Sequence, residues 1–288
     1  MRNYKRPYGR DRAARGNIEF TFMTAFKDLY GPWALVTGAS AGIGAEFARQ
    51  LSGQGLNLVL VARRRQKLED VARELQTKNG IQIRMVAVDL SQPDFLPPIL
   101  ASTERLEIGL LVNNAGFGIA GEFLDHDLER ELDLLAVNCR APLILTHSFG
   151  RDMARRQKGA IIFVSSVSAF VATPFEATYA ASKAYELYLS DALGYELRSK
   201  GVRVLALCPG STDTEFHEIA GSPAVAAMSV EPVVRAALRN LSKKPMTIPG
   251  WHNRLLVDAL KLAPRRLQTL LAGRIMAKLV GGARPGRR

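Results

Sequence analysis

Six short apolar runs, each followed by a stretch of helical spacing, constrain this chain more than any other feature. The runs are WALVT (33–37), LNLVLVA (56–62), IRMVAVD (83–89), IGLLVNN (108–114), AIIFVSS (160–166) and VRVLALC (202–208). Between them lie segments such as RRQKLEDVARELQTKNG, where Leu68, Val71, Ala72 and Leu75 recur on one helical face. A strand that is apolar throughout must be covered on both sides, and strands alternating with helices return parallel. The pattern predicts an α/β fold built on a doubly wound parallel sheet with helices on both faces and right-handed crossovers. A last short run, PMTIPG (245–250), is expected to make the sheet seven-stranded rather than six.

No repeat or low-complexity linker interrupts residues 31–250, so they are read as a single domain. Charge separates this body from the ends. Residues 1–30 hold seven Lys/Arg against three Asp/Glu, residues 251–288 nine against one, and the middle 23 of each sign. The net charge of +12 therefore describes the ends and not the body. Basic ends favour loose contact with anionic surfaces, whereas a nucleic-acid reader carries its charge on a folded face, so no specific nucleic-acid partner is expected. The opening stretch MRNYKRPYGRDRAARGNI lacks the apolar segment of a secretory signal, and residues 1–30 are expected to form a flexible basic arm.

Cys139 and Cys208 stand in apolar surroundings without metal-type spacing, and the four histidines form no HxxxH or HExxH pattern. No metal site is expected, and the thiols fit a reducing, cytoplasmic setting. No run of eighteen apolar residues predicts a spanning helix. The segment 251–288 is expected to be helical, interrupted at Pro264, with an apolar stripe of Leu267, Leu270, Leu271 and Ile275 beside Arg266, Arg274 and Lys278. Three readings stand open for it: a helix packed on the body, a lid over an apolar substrate, or a membrane-surface helix giving peripheral membrane contact.

TGASAGIG (37–44) falls where the first strand ends and the first helix begins. Gly38, Gly42 and Gly44 let the backbone turn tightly and approach a ligand, and the following helix directs its free N–H groups at whatever lies there. That context predicts dinucleotide binding on a Rossmann-like fold, with Ser40 and Ile43 in the turn. The second strand ends in Ala62, Arg63 and Arg64 where an NAD enzyme normally carries an acid. Guanidinium groups would bind a 2′-phosphate in a fork, which points to NADP(H). Asp89 and Leu90, ending the third strand, suit contact with the adenine edge.

Further strand tips are polar or turn-forming: Asn113-Asn114-Ala115-Gly116, Ser165-Ser166, and Pro209-Gly210 followed by Ser211 and Thr212. In a doubly wound sheet such tips face the ligand crevice. In YAASK, Tyr179 and Lys183 lie one helical turn apart, and a lysine beside a phenol favours the phenolate.

With TGASAGIG, NNAG, the Ser-Ser pair, YAASK and PG in this order, residues 31–250 resemble the short-chain dehydrogenase/reductase (SDR) family. The resemblance implies a catalytic tetrad of Asn138, Ser166, Tyr179 and Lys183. It implies that Tyr179 exchanges a proton with the substrate oxygen while Ser166 hydrogen-bonds it. Lys183 would lower the phenol's pKa and hold the nicotinamide ribose, and Asn138 would hold a water. Asn114, Ala115, Gly116, Pro209, Gly210, Thr212 and Thr214 would line the cofactor, the two threonines near the nicotinamide amide. TIPGWHNRLLVDALKLAPRR further resembles a branch related to 3-oxoacyl and hydroxysteroid reductases. The function expected is an NADPH-dependent oxidoreductase acting on a small-molecule carbonyl, apolar or lipid-like. Phe216, Ile219, Val225 and Met228 are expected in its substrate lobe, and by resemblance a homo-oligomer forms. A non-catalytic NADP sensor or scaffold, or a lipid-surface module using the basic ends, are the alternative readings.

Overall fold

The computed structural model describes residues 26–222 and 226–282. Among the described residues there are seven strands: β1 (Trp33–Thr37), β2 (Asn57–Ala62), β3 (Ile83–Ala87), β4 (Ile108–Asn113), β5 (Gly159–Val164), β6 (Val202–Leu207) and β7 (Met246–Thr247). They form one parallel sheet in the order β3-β2-β1-β4-β5-β6-β7. The helices are α1 (Gly42–Gly53), α2 (Arg65–Asn79), α3 (Leu96–Thr103), α4 (Leu128–Leu135), α5 (Ala141–Arg156), α6 (Ala177–Arg198), α7 (Phe216–Ala220), α8 (Val230–Asn240), α9 (Trp251–Leu262) and α10 (Arg265–Gly282).

Strand alternation sorts the core into two layers. Ala34 and Val36 of β1 point to the face covered by α1, α2 and α8, through Phe47, Leu75 and Val233. Trp33 and Leu35 point to the opposite face, against Ile99 of α3 and Leu145 and Met153 of α5. Fully burying one such side chain stabilises by roughly 1.5–3 kcal/mol, which fixes the strand tips that carry the polar residues. β1 pairs with β2 on one side and β4 on the other, so strand order reverses there and a crevice opens between the ends of β1 and β4.

Three features of the fold bear on the sequence expectations. First, the segment between β4 and β5 holds two helices, α4 and α5, joined by a π-type turn, Ala136–Arg140. Pro142 has no N–H to give the carbonyl of Asn138, so the regular ladder breaks at that point. Within the expected arm, residues 1–25 lie outside the described residues, but 26–30 are helical, and Phe26 and Tyr30 are buried in the first core layer. Third, the stripe Leu267, Leu270, Leu271 and Ile275 faces outward, each residue more than 40% exposed. Among the described residues no helix is long and apolar enough to cross a membrane.

Candidate functional site

The C-terminal tips of β1, β2, β4, β5 and β6 open on a cleft of about 550 Å³. Its floor at one end is the glycine turn. Gly38 holds φ +65°, and a Cβ there would stand 2.7 Å from Asn114 Nδ2 and 2.9 Å from Ala115 Cα. Only glycine meets both demands. Thr37 Oγ1 accepts from the backbone N–H of Asn114 at 2.9 Å and of Ala115 at 3.0 Å, and Asn114 Nδ2 donates to Thr37 O at 2.9 Å. The β1 and β4 tips are thereby stitched together. The first turn of α1 carries no acid and no side-chain cap, leaving N–H groups for an anion.

Gly38, Ser40, Gly42 and Ile43 line the cleft with Arg63, Arg64, Asp89 and Leu90. So do Asn114, Ala115 and Gly116 from β4, and Pro209, Gly210, Thr212 and Thr214 after β6. Gly44 is buried behind the turn, against Gly38 O. The arginines divide their work. Arg63 is largely exposed and reaches Asp89 at 3.4 Å. Burial pushes against ionisation of Asp89, but hydrogen bonds with Ser91 and the charge of Arg63 win, and its pKa falls below the usual carboxylate value. Arg64 reaches Ser40 Oγ at 3.4 Å and Glu215 at 2.6 Å, and Lys67 also binds Glu215. Sequence reasoning missed Lys67 and Glu215. The signal for Lys67 was its place one turn beyond Arg64 on α2; none pointed to Glu215.

At the other end, the long α6 brings Tyr179 and Lys183 to one face. Tyr179 is buried, its ring tilted against Phe216 with centroids 5.3 Å apart, and the neighbouring Ser166 pulls its pKa down. The serine pair divides: Ser165 donates to Lys183 O at 2.7 Å inside the fold, while Ser166 caps a short turn and stays in the cleft. Asn138, fully buried in the π-type turn, donates to Phe117 O and to Ser182 Oγ, both at 3.0 Å, and accepts from Phe117 N at 3.2 Å. It thus ties the loop after β4 to α6 and stands behind the cleft wall. Gly116 lies between: a Cβ there would come 3.1 Å from Asn138 Oδ1 and 3.2 Å from Lys183 Nζ.

The expectation that Lys183 acidifies Tyr179 is corrected in its net direction. Burial raises the phenol's pKa more than Lys183 and Ser166 lower it, and Glu176 and Glu186 add to the rise. Lys183 donates to Glu186 Oε2 and to Val164 O, each at 2.9 Å, so its charge is shared. Glu176, one turn before Tyr179, has its pKa pushed up to about 7 by burial. Helical spacing from the tyrosine and lysine was the available signal for both acids.

The substrate end is lined by Phe117, Phe216, Ile219, Met276 and Leu279, the last two from α10. Met228 packs against the core below, and Val225 lies outside the described residues.

A dinucleotide-sized cleft with a glycine turn at one end and a buried Tyr–Lys pair at the other defines a nucleotide-dependent oxidoreductase fold. Residues 32–222 match the family described as short chain dehydrogenase, and the chain belongs to that family. It is 32% identical over 233 residues to a 7beta-hydroxysteroid dehydrogenase of Clostridium sardiniense, covering 80% of this chain and 89% of that one. With a very-long-chain 3-oxoacyl-CoA reductase of Pyricularia oryzae it shares 39% identity over 179 residues, 60% of this chain. That match spans 54% of the relative's length, so the chain covers about half of it. Among solved structures it resembles a short-chain dehydrogenase from Sphingobium yanoikuyae in complex with NADPH, with TM-score 0.75, 33% identity, and coverage of 80% and 92%.

Proposed function

We propose that the protein is an NADP(H)-dependent oxidoreductase that interconverts an apolar, lipid-like ketone and its secondary alcohol. The observation that carries this reading is the convergence of Ser166, Tyr179 and Lys183 on the same cleft as the Gly38–Gly44 turn. The turn, the uncapped start of α1, and Asn114 to Gly116 would hold the dinucleotide. Arg64 and Lys67, with Arg63 beside them, would hold the 2′-phosphate, which favours NADP(H) over NAD(H). Bound there, the reduced nicotinamide supplies the hydride.

Negative charge then gathers on the carbonyl oxygen. Tyr179 delivers a proton to that oxygen and Ser166 hydrogen-bonds it. Lys183 keeps its charge in the site: burial disfavours the ammonium, but Glu186 and the phenol outweigh that and raise its pKa. Asn138 holds the loop against α6, so Lys183 keeps its place beside Gly116. The ring of Phe216 and the apolar Ile219, Met276 and Leu279 exclude water and favour a greasy substrate. The 3-oxoacyl and hydroxysteroid relatives support that substrate class. The test is NADPH oxidation across a panel of ketones from acetone to steroid and 3-oxoacyl substrates. Consumption with the bulky members and not with the small ones is expected; inactivity toward all of them favours a scaffold.

The outer surface of α9 and α10 supports a second element of this reading, contact with an anionic membrane surface. Trp251, Leu255, Leu262, Leu270 and Ile275 are exposed beside Arg254, Lys261, Arg266 and Lys278. Self-association fits the exposed Leu128, Leu132, Tyr188 and Tyr195 of α4 and α6.

A further inference from the structure

α6 carries four ionisable groups along one face, Glu176, Tyr179, Lys183 and Glu186, spaced by three, four and three residues. The proposed chemistry uses the middle two. Glu186 is the most enclosed of the acids, with a side chain 1% exposed against 5% for Lys183, and the pair meets at 2.9 Å. A buried ion pair of this kind is a costly structural device, since apolar residues of similar volume often serve stability as well or better. An ammonium has three N–H donors. Two are spent internally, on Glu186 Oε2 and Val164 O. The remaining one is left for the side where Gly116 makes room; a Cβ there would stand 3.2 Å from Nζ.

We propose that Glu186 is a positioning residue: it fixes the Lys183 ammonium in the cleft wall and cancels part of the charge that Lys183 presents to Tyr179. The proton affinity of the phenol is then set by the difference between a near cation and a farther anion, not by the lysine alone. This deepens the reading above, in which Tyr179 exchanges the proton.

Burial pushes Glu186 itself up to about 7, so it is the anion above that pH, and the other groups around the pair leave that role to it. Cys139, from the π-type turn, is pushed by burial to about 11, and Cys208, after β6, to about 12, so both stay neutral near pH 7. β5 presents a backbone carbonyl, and the turn after it presents hydroxyls. Glu176 opposes ionisation of Tyr179 from the far side, and Tyr185 of α6 is raised by burial. Arg130 and Asp133 of α4, and His217 of α7, line the same cleft, and burial keeps His217 below its ordinary value.

The test is ¹⁹F NMR of the full chain labelled with fluorotyrosine, titrated with pH without substrate. The Tyr179 resonance is identified by its loss in Tyr179→Phe. In Glu186→Gln the midpoint should fall by about one unit, a tenfold gain in phenolate at a given pH below it. Glu186→Asp, which restores the charge, should return most of that shift. A midpoint that stays at the wild-type value or rises in Glu186→Gln overturns the proposal. Should Glu186→Gln not fold, Glu186→Met of similar shape replaces it, with the same expectation. The readout needs no turnover, so failure of the reductase reading and failure of this one are distinguished.

Discussion

Arg64 donates to Glu215 at 2.6 Å across 151 residues of sequence, with Lys67 on the same carboxylate. The link joins the arginine-lined end of the cleft to the segment whose next residue, Phe216, packs on Tyr179. Glu215 holds its charge easily, because its hydrogen bonds to Lys67 and Arg64 pull its pKa down. A 2′-phosphate entering between the two cations would compete with this carboxylate.

Arg64→Ala should therefore weaken NADPH binding by about 10- to 100-fold, the worth of a charge-assisted hydrogen bond, and leave NADH binding unchanged. Glu215→Gln should tighten NADPH several-fold by removing the competitor. Fluorescence titration with both nucleotides checks this. An unaltered NADPH/NADH ratio in Arg64→Ala means the phosphate lies elsewhere.

Tyr179→Phe removes the hydroxyl proposed to deliver the proton while keeping the ring against Phe216. Turnover should drop by roughly 10²–10⁴-fold, the usual range for a lost general acid, with NADPH affinity within about twofold of wild type. Stopped-flow measurement of the reduction step against equilibrium binding separates the two. Retained turnover would remove Tyr179 from the proton path.

Much of this was legible in the chain because the relevant signals are local. Apolar runs give buried parallel strands, and a glycine turn between strand and helix gives the anion cradle. Polar tips at successive strand ends give the cleft edge. What escaped depends on how distant segments meet. Nothing near Glu215 marks it as the partner of Arg64 and Lys67. The period of α10 shows that Leu267, Leu270, Leu271 and Ile275 share a face, but not that this face looks to solvent while Met276 and Leu279 turn to the cleft. The Tyr–Lys spacing read correctly as one face of a helix. Its electrostatics did not follow, because burial and Glu186 act in the opposite sense to the lysine.

Glu176 gives a pH signature in stability. Burial raises its pKa to about 7 in the folded chain from 4.5. The folded state therefore holds the proton more tightly than the unfolded state between these values. Stability is fully present below pH 4.5 and is lost as pH rises through about 7. The cost at alkaline pH is on the order of 3 kcal/mol. Glu176→Gln should raise the melting temperature at pH 8 by several degrees and change it little at pH 4.5, read by thermal melts of the full chain. An equal effect at both pH values would mean the carboxyl ionises freely in the fold.

The last prediction separates the two sides of α10. Met276 and Leu279 line the cleft, whereas Leu270 and Ile275 are 51% and 60% exposed on the outside. Met276→Ala with Leu279→Ala removes apolar contact from a bound substrate at roughly 1–3 kcal/mol per side chain. KM for bulky ketones should rise tenfold or more while small ketones are unaffected. Leu270→Ser with Ile275→Ser should leave those constants alone and reduce sedimentation with vesicles containing anionic phosphatidylserine. The loss should be greater at low salt than its counterpart on neutral phosphatidylcholine vesicles, because the neighbouring Arg and Lys act through a screened field. If the inner pair changes vesicle binding and the outer pair changes KM, the helix has been assigned the wrong way round. If neither pair changes either quantity, α10 is packing alone.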